Sequence, residues 1–223
     1  MSTVLVKTYA PPPFCEREIL RYAGCKGTDE TLSALLQACL DEVKDKLVYK
    51  VCYIELPVRI TDGLCDFSAF SVRSKHLAKN LRGTERAIVF AATVGVEIDR
   101  LIAKYGRLAP SKALLMQAIG AERIEALCDA FCADMEGETR GRLKPRFSAG
   151  YGDLPLEAQR EIIALLDCAK KIGVCLNESL LMSPSKSVTA FVGIDDNGGT
   201  VYEANGRKCA ACDKNDCDFR REI

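Results

Sequence analysis

The sequence predicts an α+β fold in which helices flank a twisted, mainly antiparallel sheet. Amphipathic helical segments alternate with short segments of apolar and β-branched residues along the 223-residue chain. Residues 195–199 (DDNGG) separate two such short segments and are typical of a hairpin turn, which joins antiparallel neighbours. The length suits one large domain, or one domain with a tail, and is enough to bury a core.

The N-terminal part is predicted to form an arm and two helices. Residues 1–14 are expected to be extended, because the prolines at 11–13 block regular structure. A short helix is predicted over 15–23. Thr28 or Asp29 then caps a second helix. Its apolar residues recur at helical spacing: Leu32, Leu35, Leu36, Cys39, Leu40, Val43 and Leu47.

The next segments predict strands with two helices among them. Residues 48–58 and 67–72 are rich in apolar, β-branched and aromatic residues and are predicted to be strands. A short helix is expected over 74–81. Residues 88–95 (IVFAATVG) predict a buried strand, and a helix follows to Tyr105.

The longest predicted helix runs from Pro110 to about Met135 and carries an acid on its apolar face. Its apolar row is Leu114, Ala118, Ala121, Cys128, Cys132 and Met135. Glu125 falls in the same row, so we expect its carboxylate to be buried, and a buried carboxylate needs a partner. One interpretation is an internal ion pair with a core-facing arginine. The other is a carboxylate that holds a cationic ligand group.

A glycine-rich loop, RFSAGYGDLP at 146–155, is the second candidate for chemistry. Arg146 offers a guanidinium fork for a carboxylate, and Tyr151 offers an aromatic face. Gly150 and Gly152 permit backbone conformations that other residues rarely adopt. The alternative is an ordinary connection between two helices.

The remaining segments predict a helix, an extended stretch and a hairpin. The helix starts at Pro155 and ends at Gly173, a typical C-cap. Residues 174–182 are expected to be extended, with Glu178 as an acid in an apolar run that faces either a ligand or solvent. The hairpin strands are predicted at 187–194 and 200–204.

Composition excludes several classes of function. Positive and negative side chains balance at 31 each, which gives no reason to expect nucleic acid or an anionic membrane as partner. The single histidine, His76, excludes a histidine-rich metal site, and no phosphate-binding glycine motif is present. With no secretory signal and no apolar run near about 20 residues, we expect a cytoplasmic protein with reduced thiols.

The polar C-terminal tail, 205–223, contains three closely spaced cysteines. Cys209 and Cys212 form a CxxC pair, and Cys217 follows five residues later. Three thiolates are one ligand short of a tetrahedral zinc site, and an iron–sulfur cluster with an open position is an alternative. A tail of reactive thiols is the other interpretation. The nine remaining cysteines are predicted to be small core residues.

Three segments together resemble the C-terminal activation domain of cobalamin-dependent methionine synthase. They are AERIEALCDAF at 121–131, the loop at 146–155, and IGVCLNESLLMSPSKSVTAF at 172–191. In that family an Arg, a Gly-Tyr pair and a Pro occur in this order, followed by a T/N-E-S segment, a Pro and a Ser-Val strand. The resemblance covers residues 85–204 well and the first eighty residues weakly.

The resemblance implies that residues 1–204 form a domain that binds S-adenosylmethionine (AdoMet). Its implied role is to remethylate inactive cob(II)alamin with the AdoMet methyl group and one electron from a flavodoxin-like donor. No corrinoid-binding motif occurs here, so the cobalamin is expected on a separate methionine synthase or other corrinoid protein. Methyl transfer from a sulfonium moves no proton, which suits a chain with one histidine and no assigned catalytic residue.

The implied ligand contacts fall on named positions. Arg146 corresponds to the arginine on the ligand carboxylate, Tyr151 to the loop tyrosine, and Glu125 to the helix acid near the ligand's polar groups. The other matched positions are Ser148 and Gly150 for backbone contacts, Glu178 in the T/N-E-S segment, and Tyr202 in the last hairpin. The family also uses an aspartate near the N-terminus of the domain, which has no clear equivalent here; Glu16 or Glu18 is the candidate.

Two other functions remain open from the sequence. One is a metal or redox protein that acts through its CxxCxxxxC tail. The other is a non-catalytic module that docks on a corrinoid protein and does not bind AdoMet.

Overall fold

A computed structural model describes residues 3–25 and 27–196. The strands in this part are β1 (Leu5–Thr8), β2 (Lys50–Pro57), β3 (Arg59–Thr61), β4 (Leu64–Asp66), β5 (Ser71–Arg73), β6 (Arg86–Thr93), β7 (Arg142–Leu143), β8 (Cys175–Leu176), β9 (Met182–Ser183) and β10 (Ser187–Asp195). The helices are α1 (Glu16–Tyr22), α2 (Glu30–Val43), α3 (Lys75–Asn80), α4 (Glu97–Leu108), α5 (Pro110–Glu138), α6 (Ala158–Leu166) and α7 (Cys168–Ile172). The predicted strand 200–204, Tyr202 and the tail cysteines Cys209, Cys212 and Cys217 lie outside the described residues.

The main sheet has the strand order β1-β2-β6-β10-β7, and all neighbouring strands are antiparallel. Two smaller antiparallel sheets, β3-β4-β5 and β8-β9, lie beside it. Helices flank the main sheet, so the predicted α+β class is confirmed.

The main sheet separates two hydrophobic cores. Because side chains alternate between the faces of a strand, Ile88 and Phe90 of β6 enter one core and Val89 and Ala91 enter the other. The first core lies under α1, α2, α4 and α5, and the second lies under α3, α6 and α7. Coverage on both faces explains why β6 is apolar at nearly every position.

The predicted helices at 15–23 and after Asp29 are present. The Asp29 side chain accepts a hydrogen bond from the backbone N–H of Leu32 at 2.7 Å, so it is the N-cap of α2. The predicted long helix is α5, which has 29 residues and begins at Pro110. None of the helices within 3–25 and 27–196 combines the length and the apolar composition of a membrane span.

The arm at 1–14 differs from the prediction, because part of it is a strand. Residues Leu5–Thr8 pair with the outer edge of β2 as β1. The prolines at 11–13 follow this strand, and α1 starts soon after them. The carbonyls of Pro12 and Pro13 accept hydrogen bonds from the Arg123 guanidinium of α5, which attaches the arm to the core.

Two other predicted elements are shorter or interrupted in the structure. Of the strand predicted at 67–72, only Ser71 and Val72 belong to a strand, β5. Phe67 to Phe70 form a turn in which Ser68 has a φ of 65°. The helix predicted from Pro155 to Gly173 begins at Ala158 and is interrupted at Asp167, which has a φ of 49°. Aspartate is one of the few residue types that adopts this left-handed conformation readily.

The predicted core role of the cysteines holds for six of the nine described ones. Cys39, Cys52, Cys65, Cys128, Cys132 and Cys168 are buried. Cys15 and Cys175 are exposed and Cys25 is half-buried, so the prediction was wrong for these three. All nine are free thiols, and burial raises the pKa of Cys128 well above its usual value, which keeps that thiol protonated.

Candidate functional site

A cleft of about 540 Å³ opens beside the first residues of β10. Its walls come from segments that are far apart in sequence. The lining residues are Asn80 of α3, Glu125 of α5, Pro145, Arg146 to Ala149 and Tyr151 of the glycine-rich loop, Gln159 of α6, Met182 of β9, and Ser187 to Thr189 of β10. This volume falls within the usual range for small-molecule sites.

Strand pairing explains how Arg146 reaches this cleft. Residues after α5 run antiparallel to β10, first as β7 and then through a pair of backbone hydrogen bonds between Phe147 and Phe191 of 2.8 and 2.9 Å. This pairing places Arg146, the residue before Phe147, where its side chain contacts the acids of α5. In the loop that follows, Ser148, Ala149 and Tyr151 also line the cleft.

Arg146 forms ion pairs with two acids of α5. Its Nη2 lies 2.8 Å from Glu125 Oε2, and its Nη1 lies 2.7 Å from Asp129 Oδ1. The side chains of Arg146, Glu125 and Asp129 are 13%, 38% and 20% exposed. These two ion pairs join two carboxylates to one guanidinium, a formal excess of one negative charge among the three groups. The cluster therefore favours a cationic ligand group over an anionic one.

Glu125 has an arginine partner, as one interpretation predicted, but its carboxylate is not buried. Glu125 is not in the core but at its edge, where it faces the cleft. The buried acid of α5 is Glu122, which pairs with the fully buried Arg123. Leu114, assigned to the same apolar row, is also exposed. The other members Ala118, Cys128, Cys132 and Met135 are buried as predicted, so the row was wrong mainly at Leu114 and Glu125.

The glycine-rich loop is fixed to α3 by Asp153. The Asp153 carboxylate accepts hydrogen bonds from the backbone N–H groups of Lys75 and His76, at 2.8 and 3.1 Å, and from the Ser74 hydroxyl. Ser74 is itself the N-cap of α3. Tyr151, two residues before Asp153, lines the cleft and is 68% exposed, so its side chain is accessible to a ligand.

The two loop glycines are required by the backbone. Gly150 has a φ of 84° and Gly152 a φ of 57°. A Cβ atom at Gly152 would also lie 2.2 Å from His76 Nδ1. The sequence prediction that these positions need glycine is consistent with both angles.

The Asp153 contacts predict a pH dependence of stability. The Ser74 hydroxyl, followed by the His76 and Lys75 amides, lowers the pKa of Asp153 to about 2 from its ordinary 3.8. A depressed carboxyl pKa contributes stability that is fully present above pH 3.8 and is lost as the pH falls through about 2. We expect Asp153→Asn to lower the melting temperature at pH 7 and to flatten its decline between pH 4 and pH 2, roughly the interval between the two pKa values. Thermal unfolding at several pH values checks this.

Asp66→Asn is the control for this pH dependence. Asp66 is an exposed aspartate at the end of β4 that accepts one backbone hydrogen bond, from Ser68. A pH profile of Asp153→Asn that matches wild type would show that the Asp153 contacts do not stabilise the loop.

The other predicted site residues are distributed unevenly. Ser148 lines the cleft, and Gly150 lies in the same loop, where its N–H donates to the Leu154 carbonyl at 3.0 Å. Glu178 is exposed in the turn between β8 and β9, and it is not among the residues that line the cleft. The predicted extended segment 174–182 is thus a short two-stranded sheet with a turn.

The N-terminal acids also lie elsewhere. Glu18 pairs with Arg21 of its own helix at 2.8 Å, and Glu16 is exposed at the start of α1. Neither lines the cleft described above. The structure therefore leaves the family's N-terminal aspartate without an equivalent among these two residues.

Among the residues that sequence reasoning missed are Asn80 and Gln159, which line the cleft, and Asp129, which pairs with Arg146. Asp129 had a usable signal, because it lies four residues after Glu125 and so shares its helix face. Asn80 and Gln159 had none, since they come from two short helices that only the folded chain brings to the same cleft.

A second hollow of about 660 Å³ lies beside α3 and is lined by Lys75, His76, Lys79 and Arg82, with apolar and glycine neighbours. It contains none of the predicted ligand residues, and its basic groups are side chains on a solvated surface. Within the described residues, no group of three or more Cys, His, Asp or Glu could hold a metal ion. The predicted metal site of the tail lies outside that range.

Comparison with known proteins identifies a solved structure of similar fold. No protein-family model matches the sequence, and no curated protein matches it. A search of solved structures finds the MetH reactivation domain bound to AdoHcy, with a TM-score of 0.63 and 14% sequence identity. The match covers 92% of this chain and 82% of that chain. At this identity the likeness shows the fold, and it confirms the fold that the sequence resemblance implied.

Proposed function

We propose that this protein binds AdoMet in the cleft beside β10 and supports reductive remethylation of cob(II)alamin on a separate corrinoid protein. The observation that carries the proposal is the cleft itself, in which the glycine-rich loop, an anionic cluster and an exposed tyrosine come together on this fold. The solved structure of similar fold has AdoHcy bound, which is the product that AdoMet becomes on losing its methyl group.

The charges in the cleft suit AdoMet in a specific way. AdoMet carries a sulfonium, an ammonium and one carboxylate, so it is a net cation. Glu125 and Asp129 together outweigh Arg146 and favour the cationic groups, while the Arg146 guanidinium can share its N–H donors with the ligand carboxylate. The Tyr151 ring supplies a surface on which adenine can stack.

The proposed reaction needs positioning rather than acid–base chemistry. The methyl group moves from the sulfonium to a cobalt centre that a donor protein has reduced by one electron, and AdoHcy is released. No proton is transferred, so the cleft needs no general base. The contribution of this chain is to hold the methyl group in a fixed orientation toward the partner's corrinoid.

The test of ligand binding compares AdoMet with AdoHcy by isothermal titration calorimetry. We expect saturable binding of AdoMet to the wild type. Glu125→Gln should weaken AdoMet binding by about tenfold, equivalent to ~1.4 kcal/mol. It should weaken AdoHcy binding less, because AdoHcy lacks the positive charge at sulfur. Glu138→Gln is the matched control, since Glu138 lies on the same helix but pairs with Lys7 at 2.6 Å.

These measurements test AdoMet binding and its location in the cleft separately from the corrinoid reaction. No binding of either ligand would reject AdoMet binding and leave the docking-module alternative. Binding that Glu125→Gln and Glu138→Gln affect equally would place the ligand outside this cleft. The corrinoid reaction is tested separately, by following cob(II)alamin on a candidate partner with AdoMet and a reductant, with and without this protein.

A further inference from the structure

Two amide side chains in the wall of the cleft have buried oxygens that lack a hydrogen-bond donor. They are Oδ1 of Asn80, the last residue of α3, and Oε1 of Gln159, near the start of α6. Both residues line the cleft. Neither oxygen accepts a hydrogen bond from any residue that the structure describes.

The orientation of the Asn80 amide is set by a neighbour. Its Nδ2 donates to the carbonyl of Pro145 at 3.2 Å, and a carbonyl can only accept, so the other amide atom is the oxygen. Gln159 is only 7% exposed, so its amide has little access to bulk water. Buried acceptors without donors are uncommon in folded proteins, because each loses its hydrogen bonds to water and receives none in return.

The chemistry of these two groups defines what can satisfy them. Both are neutral acceptors, so they require a ligand group with N–H or O–H donors. A cationic group would interact more strongly with the carboxylates of Glu125 and Asp129. Two neutral acceptors fit a neutral primary amine, which offers two N–H donors in one plane.

We propose that Asn80 Oδ1 and Gln159 Oε1 form the subsite that recognises the exocyclic amino group of a purine base. The inference rests on the proposed binding of AdoMet and assigns the adenine end of that ligand. Tyr151 stacks on the base, and the two amide oxygens accept hydrogen bonds from its amino group. The subsite accepts adenine and rejects a base with a carbonyl in place of the amine, since that carbonyl would meet two acceptors.

The experiment measures the affinities of AdoHcy and its inosine analogue, S-inosylhomocysteine, for the wild type and three variants. Gln159→Met and Asn80→Leu remove one acceptor each and keep a similar side-chain size. Gln117→Met, at an exposed position of α5, is the control. We expect the wild type to prefer AdoHcy by at least about tenfold, because a site built to bind an N–H group rejects analogues that lack it. Each cleft variant should reduce this preference several-fold, mainly by weakening AdoHcy.

A third ligand, AdoHcy without its α-amino group, separates the two amines of the molecule. Loss of discrimination against this ligand in Gln159→Met would overturn the adenine assignment and place the α-amine at the subsite. An unchanged preference for adenine over inosine in both variants would also overturn it. If the wild type binds none of the three ligands, the proposed function fails first. Thermal melts of the unliganded variants show whether the folds are intact. Gln159→Met should not lower the melting temperature, because it removes an acceptor without a donor. Asn80→Leu also loses the hydrogen bond from Nδ2 to the Pro145 carbonyl, so a small decrease is expected for it.

Discussion

Replacing Arg146 with methionine is expected to abolish AdoMet binding and to lower the free energy of unfolding by about 2 kcal/mol. The change leaves Glu125 and Asp129, four residues apart on α5, without the guanidinium that both now contact. Removal of one partner from a fully buried ion pair costs about 3–5 kcal/mol. Because these carboxylates are partly exposed, we expect a smaller loss.

The lost binding is separated from the lost stability by compensating changes. A variant with Arg146→Met, Glu125→Gln and Asp129→Asn removes all three charges of these two ion pairs. It should recover most of the stability but none of the binding. Arg146→Lys keeps the charge without the planar fork and should bind weakly. Arg160→Met, at an exposed position of α6, is the control. Calorimetry and urea unfolding report the two quantities, and AdoMet affinity that survives in Arg146→Met would refute the role of this residue.

The largest loss of stability is expected from Arg123→Met, about 3–5 kcal/mol. The Arg123 side chain is fully buried, and its Nε and Nη2 each lie 2.5 Å from the Glu122 carboxylate. The same guanidinium donates to the carbonyls of Pro12 and Pro13 and lies 4.2 Å from the centre of the Phe14 ring. Methionine would leave a buried carboxylate and two proline carbonyls without these donors.

Urea unfolding of Arg123→Met and of a surface counterpart tests this. Arg100 pairs with Glu97 on α4 with both side chains exposed, so Arg100→Met should change stability by less than about 1 kcal/mol. The double variant Arg123→Met, Glu122→Met removes the buried charge and should recover part of the loss. If Arg123→Met and Arg100→Met have equal effects, the buried pair does not hold the arm and the helix together.

The fold was predictable from the sequence wherever local signals were strong. The cap at Asp29, the apolar strand at 88–95 and the long helix after Pro110 each carry their own pattern, and all three are present. The interruption at Asp167 was not predictable, because one residue in a left-handed conformation does not alter the apolar periodicity.

The candidate site was predictable in its loop and less so in its walls. Arg146 and Tyr151 stand in a glycine-rich segment with its own signature, and both line the cleft. The buried face of α5 was harder to predict, because the helix packs on several sides and its apolar residues point in more than one direction. Asn80 and Gln159 could not be found from sequence, because their proximity depends on how α3 and α6 pack against the same side of the sheet.

The cleft draws on a helix from one core, two helices from the other and the strand between them. A small molecule that contacts all of these elements binds only when they are folded together. Its binding free energy therefore adds to the free energy of unfolding. At a concentration 100 times the dissociation constant this gain is about 2.7 kcal/mol, enough to shift a melting curve clearly. A shift in melting temperature therefore serves as a label-free screen for sulfonium nucleosides and their analogues.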